Sequence, residues 1–145
     1  MATALLLLDV QRDMLLTPSV ASSLRTLLSR ARNAGAPVVH VRSDGQPLLF
    51  GSWHGETVVD RTDENAFLGS ALTEALPAGS RLVVAGVWSE HAVSATVTAA
   101  LGRGYRVVLA SGAHEGFTME AARRVEDELA AVGAVIADAD AVPFS

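Results

Sequence analysis

Apolar residues gather along this chain in short uninterrupted runs separated by stretches of helical period. The first run, TALLLLD from Thr3 to Asp9, has no alternating polar face, which suits a central parallel strand covered on both sides. It ends in a carboxylate. Thr17-Pro18 then offers an N-cap followed by proline at the first helical position, and Val20, Leu24, Leu27, Leu28 and Ala31 recur on one helical face until Gly35. PVVHVR predicts a second strand, and the loop from Ser43 to Gly55 carries Gly, Pro and isolated aromatics without a period. ETVVDR predicts a short third strand, and Ala66 to Leu76 a helix ended by Pro77. RLVVAGV is the fourth strand, Ser89 to Leu101 a helix, YRVVLA the fifth strand, Thr118 to Val132 the last helix and AVIADA the sixth strand.

This alternation predicts right-handed crossovers and a three-layer αβα domain spanning residues 1–145. Its doubly wound, mostly parallel sheet has six strands, and ligands bind beyond their carboxyl ends. Asp9, Arg61 and the GVWSEHAV turn from Gly86 to Val93 all fall at such ends. An open sheet brings them to one crevice.

Composition narrows the chemistry. There are eleven arginines and no lysine or cysteine, so disulfides, zinc-thiolate sites, thiol nucleophiles and lysine chemistry are excluded. A net charge of −5 with scattered arginines argues against nucleic acid and anionic membranes as partners. The ALLLL run is too short to span a bilayer and lacks the basic flank of a signal peptide, so a cytoplasmic location is expected. No GxGxxG or Walker-type loop follows a strand, and no cofactor is expected.

Three segments, LLLLDVQRDML around Asp9, VVDRTDENAFLGSAL around Arg61 and Phe67, and VVAGVWSEHAVSATVTAALGRGYRVVLA, together resemble the isochorismatase-like hydrolase superfamily over nearly the whole chain. The resemblance implies a strand order of 3-2-1-4-5-6 and a site built on an aspartate, a lysine and a cysteine. Asp9 matches the aspartate, Arg61 stands in place of the lysine and Ala92 in place of the cysteine. A methyl group cannot attack a carbonyl, so covalent cysteine chemistry is lost. The superfamily's true isochorismatases also carry a small residue there, and GQPLLFGSWHG resembles a shortened form of their loop. Gln46 and Trp53 match its pocket glutamine and tryptophan, and Trp88 stands where a pocket tyrosine is found. The metal-binding Asp-x-His of the nicotinamidase branch has only Asp44-Gly45-Gln46 as a counterpart, so no metal site is expected.

The residues then take expected roles. Asp9 is a general acid/base, and Arg61 is a permanent cation able to grip a substrate carboxylate in two places. Gln46, Trp53, Trp88, Ala92, His91 and Phe67 are expected to shape the substrate pocket, with His40 a satisfied structural histidine and His114 a lesser candidate at the strand edge. The function expected is enol-ether hydrolysis, elimination or cyclisation of a small carboxylated or cyclic metabolite. The alternative is a non-catalytic descendant that binds a small molecule or a protein. A homo-oligomer, dimer or tetramer, and a role in bacterial specialised metabolism are further expectations.

Overall fold

The computed structural model describes residues 2–144. Strands β1 (Thr3–Leu8), β2 (Val38–Ser43), β3 (Thr57–Arg61), β4 (Arg81–Val87), β5 (Arg106–Glu115) and β6 (Val135–Asp138) form one sheet in the order β3-β2-β1-β4-β5-β6, with every pairing parallel. Among the described residues no helix is long and apolar enough to cross a membrane.

The continuous apolar runs have a simple cause: each central strand feeds two cores. Ala4, Leu6 and Leu8 of β1 face one side with Leu82 and Val84 of β4, whereas Leu5 and Leu7 face the other with Val83 and Ala85. Side chains alternate with period two, so a strand buried on both faces has no polar position to offer. Helix α1 (Pro18–Asn33) covers one core with Val20, Leu24, Leu27, Leu28 and Ala31. Its cap is the expected one, Thr17 accepting from the Val20 N–H, and Arg30 and Arg32 sit in its last turn, where cations favour the helix dipole. Helices α3 (Ser94–Gly102) and α4 (Met119–Ala131) cover the opposite core through Val97, Ala100, Val125 and Leu129.

Two elements depart from the sequence pattern. The helix expected over residues 66–76 shrinks to α2 (Leu72–Ala75). Side chains intercept the backbone before it: Asn65 Oδ1 accepts from the Phe67 N–H, Thr96 Oγ1 from the Ala66 N–H, and Gly69 takes a φ of 66°. The helix expected from Ser89 opens instead as a π-helical turn, Ser89–Val93, before α3 begins.

Candidate active site

Asp9 leaves β1 with φ 54°, a left-handed conformation that aspartate tolerates, and its N–H donates to the Val41 carbonyl at 2.8 Å. The neighbouring strand closes tightly here. At Gly86, φ is 126° and a Cβ would lie 2.0 Å from the Leu8 carbonyl oxygen, so only glycine lets the ends of β1 and β4 approach.

Arg61, at the end of β3, reaches past β2 to the Asp9 carboxylate. Its Nε donates to Oδ1 at 3.0 Å and Oδ2 at 3.1 Å, and Nη2 donates to Oδ2 at 2.6 Å. The Asp9 side chain is 1% exposed and that of Arg61 18%. These bonds raise the Arg61 pKa above its ordinary value against the opposing effect of burial, and the nearby charges of Glu64 and Asp44 add to it. Nη1 donates to the Asp63 carbonyl at 3.1 Å. The guanidinium is therefore already engaged on both sides. The expected two-point grip on a substrate carboxylate gives way to a two-point grip on Asp9.

The pair borders a cavity of about 650 Å³ that Trp88 also lines, next to the Val87–Trp88 cis peptide. Its other walls are Met14, Ser43, Asp44, Gly45, Asp60 and Thr62, of which the sequence pointed only to Asp44 and Gly45, as the counterpart of a metal-binding motif. Ser43 is fixed by Gln11, a fully buried side chain whose Oε1 accepts both the Ser43 N–H at 2.6 Å and its hydroxyl at 3.2 Å. Asp60 faces Arg42, whose hydrogen bond and charge hold its carboxyl below the usual range. With Asp9 paired to Arg61 and Asp60 to Arg42, Asp44 is the carboxylate that leaves the lining acidic by one charge.

Several expected pocket residues lie elsewhere. Trp53 is 60% exposed and stacks under the Arg32 guanidinium at 4.3 Å, because the short loop is tied to α1 by Glu56. That carboxylate accepts from Arg32, from the Trp53 N–H and from His40 Nε2, which makes His40 the satisfied histidine expected. Burial works to raise Glu56, yet these hydrogen bonds outweigh it and hold the group at about 2. Gln46 is half-buried in the turn that its N–H closes onto the Ser43 carbonyl, and it is not among the cavity walls. Phe67 is in the core, stacked on Tyr105 at 5.9 Å with Arg103 over its ring. Ala92 lies within the π turn, is buried at 1% exposure and does not line the cavity. His91 pairs with Glu64 at 3.0 Å and meets the edge of Phe117, whose ring packs on Trp88 at 5.1 Å. It touches the Trp88 cluster from outside the cavity. Glu90, its neighbour, accepts the Phe117 N–H.

A second group also escaped the sequence reading, although His114 was noticed alone. Ser89 Oγ lies 2.6 Å from His114 Nδ1, and His114 Nε2 lies 2.6 Å from Glu126 Oε2. Ser89 is fully buried. His114 and Glu126 line another cavity, of about 550 Å³, between α1 and α4.

Comparison with known proteins agrees with this architecture. The Isochorismatase domain profile matches residues 3–141. Two streptothricin hydrolase sequences of Streptomyces noursei are similar. One is 40% identical over 125 residues, 74% of this chain and 49% of that protein; the other is 36% identical over 151 residues, 88% and 55%. The chain thus spans about half the length of these curated relatives. The structure of an isochorismatase from Pseudomonas putida KT2440 superposes with a TM-score of 0.80 at 26% identity, covering 97% of this chain and 90% of that one. The N-carbamoylsarcosine amidase of Thermoplasma acidophilum shares the fold, with a TM-score of 0.86 at 22% identity and coverage of 98% and 99%.

Proposed function

This chain belongs to the isochorismatase family of hydrolases, and from that premise we propose that it hydrolyses a small neutral or cationic substrate without a covalent intermediate, using Asp9 as general acid/base. One observation carries the reading: a buried carboxylate, clamped by Arg61, borders a cavity, while Ala92, at the position that resembles the superfamily's cysteine, offers only a methyl group and lies off that cavity. In this reaction a water attacks the electrophilic carbon, Asp9 accepts the water proton, and the same proton then passes to the leaving atom. Arg61 fixes the carboxylate and compensates its charge while the substrate displaces solvent.

The acidic lining supports a substrate that is not itself anionic, since a substrate carboxylate here would face Asp44 with Arg61 already engaged by Asp9 and Arg42 by Asp60. Trp88 supplies an aromatic wall that an apolar ring or a cationic group can pack against. The streptothricin hydrolases are natural guides to the first compounds to test.

The test is turnover of a metabolite mixture followed by mass spectrometry, with wild type and Asp9→Asn. Wild type releases a product carrying one oxygen from labelled water, the intact protein shows no adduct during turnover, and Asp9→Asn has no activity while remaining folded. A ligand that saturates wild type without being consumed, or an active Asp9→Asn, would overturn the reading.

A further inference from the structure

The chain Ser89–His114–Glu126 is left unused by the proposed reaction. Ser89 cannot serve as its nucleophile, because it is fully buried and lines neither cavity. Yet burying the Ser89 hydroxyl and the His114 ring costs free energy unless they are hydrogen-bonded, and with half-buried Glu126 they satisfy one another, so the arrangement is specific rather than space-filling. The Glu126 carboxylate can only accept, which makes His114 Nε2 the donor; in a neutral ring Nδ1 then accepts the Ser89 hydroxyl proton.

The backbone brings His114 into place by an irregularity in β5. Two steps along β4, from Val84 to Gly86, face five along β5, from Leu109 to His114. Such a bulge re-aims the side chain that follows it. His114 thereby meets Ser89, the residue directly after Trp88. The Trp88 carbonyl accepts the N–H groups of His91 and Val93, so Trp88 and the π turn are one unit, and the Ser89 hydroxyl ties that unit to β5.

We propose that His114 is a positioning residue of the Asp9 cavity: anchored by Glu126, it holds Ser89 and so fixes Trp88 as a cavity wall. The proposal rests on that cavity being the reaction site, but the position of Trp88 can be read without any substrate.

The chain has two tryptophans, so Trp53→Phe leaves Trp88 as the only one. In that background Ser89→Ala, His114→Ala and Glu126→Ala are each expected to move the Trp88 emission to longer wavelength and to raise its quenching by acrylamide, below the melting temperature and with unchanged circular dichroism. Glu126→Gln, which keeps an acceptor, is expected to preserve the wild-type spectrum. Ser89→Ala combined with His114→Ala gives no more shift than either alone, because both cut the same link. Ser89→Ala removes a single oxygen and decides the matter even where His114→Ala does not fold. An unchanged Trp88 signal with only a lower Tm, or shifts that add in the double variant, would overturn the proposal. On any substrate that wild type hydrolyses, Ser89→Ala raises KM more than it lowers kcat; a fall in kcat at constant KM is the contrary result. Absence of any hydrolysed substrate counts against the proposed function, and the fluorescence result still decides the positioning role.

Discussion

Asp9 and Arg61 stand at the ends of strands that are not neighbours, yet the guanidinium passes β2 and contacts both carboxylate oxygens of Asp9, the shortest bond being 2.6 Å. The geometry makes the pair one unit. The planar fork of arginine donates to both carboxylate oxygens in a fixed geometry and leaves Nη1 for the Asp63 carbonyl, whereas a lysine ammonium would meet the carboxylate as a point charge. Arg61→Ala leaves the buried carboxylate alone, and the expected loss of stability is about 3–5 kcal/mol. Arg61→Lys restores the charge without the fork and recovers part of it. Urea unfolding of the two variants checks both statements, and equal midpoints for wild type and Arg61→Ala would refute the pairing argument.

Gly86→Ala is expected to be among the most damaging single substitutions. The added Cβ would meet backbone, the Leu8 carbonyl oxygen at 2.0 Å, rather than a side chain that could turn away. The cost expected for such a clash at φ 126° exceeds about 4 kcal/mol, and soluble expression with a thermal melt measures it.

The two tryptophans are expected to separate by function. Trp88→Ala removes a wall of the Asp9 cavity and raises KM, whereas Trp53→Ala loses only a stacking contact with Arg32 and leaves KM unchanged. Its stability cost is about 0.5–1 kcal/mol, that of an exposed cation–π pair. Steady-state kinetics on a hydrolysed substrate, with melts of both variants, provide the comparison.

Acid stability is expected to depend on Glu56 and His40. Glu56 is held at about 2 in the folded chain against an ordinary 4.5, so its contribution is complete above 4.5 and disappears as pH falls from 4.5 towards 2. Burial lowers the His40 pKa from 6.5 despite its bond to Glu56, so the unfolded chain takes up a proton there first and stability falls as pH drops below 6.5. Melting curves from pH 7 to pH 2 are expected to decline in both windows. Glu56→Gln is expected to flatten the decline between 4.5 and 2, and an identical slope in that variant would show the assignment to be wrong.

What the sequence determined is the sheet and its edge. The β3-β2-β1-β4-β5-β6 order came with the family resemblance, whereas uninterrupted runs such as ALLLL can be satisfied only between two apolar layers, and their alternation with helices predicts a parallel sheet with Asp9, Arg61 and the Trp88 turn at one set of strand ends. Local chemistry is enough for that. Contacts across the fold decided the rest. Whether Arg61 faces a substrate or Asp9 depends on a reach over β2, and whether Trp53 lines a pocket or lies on Arg32 depends on where Glu56 ties its loop. The Ser89–His114–Glu126 chain joins residues 25 and 12 positions apart through an irregularity in β5. Sequence spacing carries no sign of such meetings, because they follow from the packing of whole elements and not from the period of any one of them.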